Sequence, residues 1–298
     1  MPGTLATLIS GWKAKSQVLR WYRAHGRGLP WRRTRDPYAI LVSEIMLQQT
    51  QVSRVIPKYR AFLKRFPSLR ALAAAPLREV LACWSGLGYN RRARNLWLCA
   101  RELVQEHRTR VPRDVAVLRS LPGIGRYTAG AIASFAYGQH EPAVDVNIRR
   151  VLSRAVFGVE RAPEAEAWRA AHDVLPKDAA SWNHALMDIG AQFCRATPAC
   201  AECPARKACA YVLRGRVNSI APYVRKAQKA FEGSRRQQRG RVIRALVDSP
   251  GLSLLRLGPQ VKEGFGKSDL PWLHDLLRDL EADGLVALNR TRTRVALP

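Results

Sequence analysis

Apolar residues recur every three to four positions through most of this chain, the spacing of helices that bury one face. The first thirty residues follow that pattern as far as Gly26-Arg-Gly28. An irregular connection through Leu29-Pro-Trp31-Arg32 and Asp36-Pro37-Tyr38 comes next. A long helical tract is predicted from Ile40, then amphipathic helices over 52–66 and 69–84, with Pro57, Pro67 and Pro76 as punctuation. Residues 92–107 and 127–137 read as further helices, and Ile148, Val151, Leu152, Ala155 and Val156 share a face of another. No strand signal precedes Asp114. The pattern changes near the C-terminus. There 239–248 and 270–283 are helical, the latter with Leu270, Leu273, Leu276, Leu277 and Leu280 on one face, while 285–288 and 294–297 read as a short hairpin around Asn289-Arg290-Thr291-Arg292. The expected fold class is all-α over 1–225, followed by a small winged-helix-like α+β domain over 226–298.

Composition sharpens this picture. With 298 residues, 47% of them hydrophobic, the chain can hold two or three domains and bury a good core. Its formal charge is +27, which points to a polyanionic partner, nucleic acid first. Residues 226–298 hold 14 basic and 8 acidic side chains, net +6, so +21 falls on 1–225 and the DNA-facing surface is expected there. No stretch approaches 18 uncharged apolar residues, and the N-terminal LATLIS is short for a signal sequence and lacks a preceding positive charge. A cytosolic protein without a membrane partner is expected, acting as a monomer.

Within the helical body, four stretches carry candidate chemistry. Leu121-Pro-Gly-Ile-Gly turns sharply between two helices, a helix-hairpin-helix. Gly123, Ile124 and Gly125 offer backbone amides at a helix start to a phosphate oxygen, although an ordinary helix turn uses the same residues. Glu44 interrupts the apolar run Ile40-Leu-Val-Ser-Glu-Ile-Met-Leu47, where an exposed stripe is hard to draw, and a carboxyl so placed should hold its proton more tightly. Asp145 stands where the cap of the 148–156 helix belongs. Gly86-Leu-Gly-Tyr89-Asn-Arg91-Arg92 suits a loop that inserts Tyr89 between bases while Arg91 or Arg92 holds phosphate; a basic surface loop with one packed tyrosine is the alternative.

Cys194, Cys200, Cys203 and Cys209 form C-x5-C-x2-C-x5-C, which favours metal over disulfides in a chain without a secretory signal. Four thiolates suit a [4Fe-4S] cluster or a tetrahedral zinc ion, and one short pair flanked by longer arms favours the cluster. Arg195, Arg206 and Lys207 lie on the loops that such a centre would make rigid. Cys83 and Cys99 fall in helices as packed thiols.

LPW at Leu29, SEIMLQQTQV from Ser43, GLGY at Gly86, LPGIGRYTAGAI from Leu121, Asp145-x-Asn147 and the four cysteines together resemble the adenine DNA glycosylase (MutY) branch of the endonuclease III superfamily, in unbroken order over about 18–212. The resemblance implies two α-helical lobes, a middle one of about 32–130 and a cluster lobe that joins the N-terminal helix to about 131–212. It implies a mismatched double-stranded DNA partner and a flipped adenine opposite 8-oxoguanine or guanine. Glu44 would protonate the departing base while ionised Asp145 faces the sugar, and Tyr127 and Asn147 would hold these carboxylates. Trp31, Arg32, Leu47, Gln48 and Asp188 would line the base pocket, with Gln49 and Tyr89 as wedges. Relatives that cut the strand carry lysine where Tyr127 stands, so a monofunctional enzyme is expected. The chain departs from the family at Val146 (usually glycine), at Asn90 (usually tyrosine), in one residue fewer between the first two cysteines, and in lacking the β-rich C-terminal domain of many members. A thymine or uracil mismatch glycosylase is the neighbouring reading, and a non-catalytic DNA-binding protein the more distant one. Asp275, Asp279, Glu281 and Asp283 argue against helix 270–283 entering a groove, leaving Arg290, Arg292 and Arg294 of the hairpin as the better DNA contact.

Overall fold

The computed structural model describes residues 14–216 and 231–298. The helical expectation for the first thirteen residues and the domain boundary at 225/226 lie outside them. In chain order the elements are α1 (Lys15–His25), a 3-10 turn (Pro30–Arg32), α2 (Pro37–Leu47), α3 (Val52–Arg65), α4 (Leu69–Ala74), α5 (Leu77–Trp84) and α6 (Arg91–Gln105). They continue with α7 (Val115–Ser120), α8 (Arg126–Tyr137), α9 (Val146–Ala155), α10 (Glu164–Asp173), α11 (Ala179–Gln192) and α12 (Ala210–Leu213). The C-terminal part holds α13 (Arg235–Asp248), β1 (Leu252–Ser253), α14 (Leu254–Val261), α15 (Leu270–Ala282), β2 (Ala287–Leu288) and β3 (Arg294–Ala296). The all-α body with a small C-terminal strand region is as expected.

The described residues form two compact units, one of 14–41, 112–120 and 124–216, the other of 42–111, 121–123 and 231–298. In the first unit α11 packs on α9 and α1. Val18, Ile148, Val151, Leu152, Trp182, Leu186 and Ile189 fill the space between them. Each such side chain contributes about 1.5–3 kcal/mol on leaving water. Asn183 of α11, itself buried, fixes the extended strand of chain that leads into α9: its Oδ1 accepts from Ala143 N at 3.2 Å and its Nδ2 donates to Glu141 O at 2.9 Å. Gly190, one helical stretch further along α11, lets α9 come close. A Cβ there would stand 2.7 Å from Asn147 Cβ, so any larger residue would push the start of α9 away.

The second unit centres on α3, α5 and α6, with Phe62, Phe66 and Trp84 packed ring to ring. The helix expected over 69–84 is two helices, because Pro76 lacks an amide proton and disfavours helical backbone in Ala75 before it. The C-terminal segment adds a three-stranded antiparallel sheet in the order β1-β3-β2, with Val295 opposite both Leu252 and Leu288. The hairpin β2-β3 and helices α13 and α15 match expectation. β1 is too short to show alternation, and Gly258 and Pro259 conceal α14 in the sequence. α13 packs on α5, and Arg78 Nε donates to Val247 O at 2.6 Å. The acids of α15 face arginines of the same segment: Arg235 meets Asp275 at 2.8 Å and Asp279 at 2.7 Å, and Arg239 meets Asp283.

Candidate active site and cysteine loop

Asp145 caps α9. Its Oδ1 accepts from Ile148 N at 2.7 Å, which satisfies one of the orphan amides of the first turn, and its Oδ2 accepts from Asn147 Nδ2 at 2.7 Å. Burial pushes the carboxyl pKa up, against the pull of those donors and of the Arg150 charge, and the net direction is upward. Between the two polar residues the apolar side chain of Val146 is 76% exposed. Tyr127 is the second residue of α8 and half-buried.

From Asn147 the polar contacts continue. Arg150 Nη2 donates to Asn147 Oδ1 at 2.9 Å and to Gly190 O at 2.8 Å, while its Nε donates to Cys194 O at 2.5 Å. One guanidinium therefore joins the residue that holds Asp145 to the first cysteine of the C-x5-C-x2-C-x5-C segment. Beside it Arg154, 2% exposed, donates to Arg195 O at 2.6 Å, lies 3.6 Å from Cys194 Sγ and pairs with Glu160 at 2.8 Å. Glu160 in turn accepts from the Tyr211 hydroxyl.

The four thiols lie near enough to act on one another's ionisation. Burial raises the Cys203 thiol to about 12, and the neighbouring Cys194, Cys209 and Cys200 push in the same direction; Cys200 and Cys209 are raised too, by burial first and then by the other cysteines. Burial and like charge of this kind are what a positive metal centre would relieve, since it binds thiolates. The donor set of four sulfurs suits iron-sulfur ligation. Among the described residues no three His, Cys, Asp or Glu side chains are gathered closely enough to hold a single metal ion. Cys99 is fully buried with its thiol raised to about 12, a packed core residue as expected.

Trp31, Arg32 and Asp188 also lie in the first unit, and all three have little exposed side chain. Asp188 is completely buried, and both its oxygens are taken: Arg32 donates from Nη1 at 2.8 Å and Nη2 at 2.9 Å, and Arg27 from Nε at 2.6 Å and its backbone N at 3.0 Å. Desolvation is outweighed by these donors, so the carboxyl is held below its ordinary value of 3.8. Neither Asp188 nor Arg32 has a free fork to offer a base, and the expected pocket role gives way to an internal one. Trp31 is 5% exposed, a core residue. His184, one turn before Asp188, stacks on Phe135 with centroids 4.0 Å apart, and burial together with the two arginines holds it neutral.

Tyr38 through Met46 are all buried, so α2 has no exposed stripe, and Glu44, in the second unit, is only 4% exposed. Leu47 and Gln48 are half-buried and Gln49 is exposed. Gln49 and Tyr89 both adopt left-handed backbone, φ 55° and 49°, a strained state for side chains other than glycine. Arg92 lies between them and corrects its expected role. It is 9% exposed, donates through Nη1 to the carbonyls of Ile45, Met46 and Gln48 at 2.9, 2.9 and 2.5 Å, and through Nη2 to Thr50 Oγ1 at 2.9 Å and to the carbonyls of Leu87 and Gly88 at 3.2 Å each. Its hydrogen-bonding groups face inward and cannot hold a phosphate. Burial lowers its pKa to about 10, which leaves it charged at neutral pH. Arg91 is exposed and stands 3.4 Å from Asp283.

At the hairpin Gly123 has φ +80°, open to glycine alone at little cost. Gly125 caps α8 without a side-chain partner, and a Cβ there would meet nothing within 4 Å. The Ile124 side chain between the two glycines is buried. Asn183, Arg27, Arg150 and Gly190 carried no signal in the sequence. Their importance comes from partners 40 to 161 residues away.

Residues 42–177 match the HhH-GPD superfamily of base excision DNA repair proteins. The chain is 41% identical to an adenine DNA glycosylase of Mycolicibacterium smegmatis over 281 residues, covering 91% of each. It is 40% identical to an adenine DNA glycosylase of Mycobacterium tuberculosis over 299 residues, covering 95% of this chain and 93% of the relative. Among solved structures it is similar to a thermostable thymine-DNA glycosylase, with a TM-score of 0.63 and 32% identity over 67% of this chain and 94% of that one.

Proposed function

From the premise that the chain belongs to the adenine DNA glycosylase family of HhH-GPD base excision repair proteins, we propose that it hydrolyses the N-glycosidic bond of adenine mispaired with 8-oxoguanine or guanine. It does so without cutting the strand. The observation that carries the site assignment is Asp145: a carboxylate at a helix start, held by Ile148 N–H and Asn147 Nδ2, both of which favour its anionic form.

Loss of a purine leaves a sugar with cationic character, and the base departs more readily once protonated. Glu44, in its buried apolar helix, supplies the proton to adenine N7. Asp145 faces the sugar as the anion. At an effective dielectric near 20, a carboxylate about 4 Å from the cation contributes roughly 4 kcal/mol, about a thousandfold in rate. Asn147 orients Asp145. Tyr127 has no amine to form a Schiff base, so release of the base is not followed by scission. Gly123, Ile124 and Gly125 take a phosphate at the α8 N-terminus, where aligned amides and the helix dipole favour an anion. Gln49 and Tyr89 enter the duplex as the adenine leaves it.

Cys194, Cys200, Cys203 and Cys209 would hold a [4Fe-4S] cluster, whose part is to draw four chain segments to one point. Arg154 and Arg150 hold the backbone of that loop from the α9 side, and Arg195, Arg206 and Lys207 on its exposed surface suit phosphate contact. The test is a panel of duplexes carrying A·8-oxoguanine, A·G, T·G and U·G, scored for base release by alkali cleavage and repeated with Asp145→Asn. Release from the two adenine duplexes alone supports the reading. Release from T·G would favour the thymine enzyme suggested by the similar solved structure, and borohydride trapping in high yield would contradict a monofunctional mechanism.

A further inference from the structure

Two chain segments of the second unit carry the residues assigned above to duplex opening, and both are bent into backbone that their side chains disfavour. Gln49 follows the C-terminal end of α2, and Tyr89 precedes α6; their φ angles are 55° and 49°. Neither residue is glycine, so a left-handed conformation persists only where surrounding contacts impose it. Arg92 supplies contacts at both bends. Toward Gln49 it binds Gln48 O before and Thr50 Oγ1 after; toward Tyr89 it binds Leu87 O and Gly88 O, and its guanidinium carbon lies 5.5 Å from the Tyr89 ring centroid. Thr50 Oγ1 reaches Leu87 O at 3.5 Å, a weaker second tie between the same segments. The Ile45 and Met46 carbonyls that it also binds belong to the last turn of α2, whose carbonyls have no partner within the helix.

We propose that Arg92 is a positioning residue that ties the Gln49 and Tyr89 bends to each other and to the end of the Glu44 helix, so that both side chains are set to enter the duplex before DNA arrives. The inference rests on the reading of Gln49 and Tyr89 as wedges. A planar guanidinium can serve acceptors on two segments at once; an ammonium, with three donors on a flexible stem, cannot span six. Arg92→Lys therefore keeps the charge and loses the tie. Thr50→Val removes one acceptor, leaves Arg92 in place and is the milder variant should Arg92→Lys fold poorly.

Single-turnover release of adenine is measured on two duplexes, one with the adenine opposite 8-oxoguanine and one with it unpaired opposite an abasic-site analogue. In parallel, 2-aminopurine next to the target reports unstacking on binding, independent of base release. Arg92→Lys is expected to slow the paired duplex about 30- to 100-fold and the unpaired one no more than about threefold, because opening is already done there. Thr50→Val is expected to follow in the same direction by about fivefold, and both variants should lose 2-aminopurine signal at saturating protein. Equal slowing on the two duplexes, or full unstacking by Arg92→Lys, would overturn the inference by making Arg92 a general fold residue. A wild-type protein that unstacks 2-aminopurine but releases no adenine would instead overturn the glycosylase reading and leave the tie standing.

Discussion

Asp145 and Asp188 stand in the same helical unit, both removed from much of the solvent, yet their surroundings differ in kind. Asp188 is enclosed by two guanidinium groups that occupy both of its oxygens, and its pKa is depressed. Asp145 is held mainly by neutral donors, a backbone amide and a carboxamide, and burial prevails so that its pKa is raised. Cationic partners lock an acid into one ionisation state and one position. Neutral donors fix the position but leave the proton free to respond to what enters the site. That difference separates an acid built to hold the fold from one able to act on a ligand.

The sharpest way to break this contrast is to neutralise each acid. Asp145→Asn is expected to cut single-turnover adenine release about a thousandfold or more while duplex binding and the thermal midpoint stay near wild type. A large loss of stability would place Asp145 with the fold-holding acids. Asp188→Ala leaves Arg32 and Arg27 without their anion and should cost about 3–5 kcal/mol in urea unfolding. A loss under 1 kcal/mol would show that the enclosure contributes no more than a surface pair.

Acid titration separates the two by sign. Asp188 has a depressed folded pKa, so its contribution is present above 3.8 and is lost as pH falls through the lower folded value. Asp145 has a raised one, so the cost of its charge is relieved as pH falls through that value toward 3.8. Urea midpoints of the wild type should drop steeply below about pH 4, and the slope should flatten in Asp188→Asn. If Asp145 acts as the anion proposed above, base release should begin to fall at higher pH than the midpoints do.

Gly190→Ala probes how finely Asp145 is set, since the added carbon must displace Asn147. About tenfold to a hundredfold slower release with little change in duplex affinity is expected, because small misplacement of a reacting group is costly. The smallest effect belongs to Arg290→Glu on the exposed β2-β3 tip. If that tip touches DNA, the dependence of log affinity on log salt should lessen by about one to two, with release at saturation unchanged. An unaltered salt slope would remove the hairpin from the DNA surface.

Much of this was legible beforehand because it is local. Helical periodicity, the cap at Asp145 and the turn at Gly123 each depend on a few neighbouring residues. The roles of charged side chains were not, because a charge in a nucleic-acid-binding chain looks the same whether it faces a phosphate or a carbonyl of its own backbone. Arg92 and Asp188 were both expected at the DNA surface; only their distant partners, 44 and 161 residues away, show that they face inward. The acids of α15 were a milder case, a forbidding surface by sequence that the arginines of α13 neutralise.

The union of 42–111 with 231–298 also bears on how the molecule is made. Arg78 meets Val247 across 169 positions, and α5 has its packing partner α13 only once the intervening segments have left the ribosome. Until then the part of α5 that meets α13 waits uncovered while α3 and α6 already cover the rest, leaving a natural handle for chaperones during synthesis.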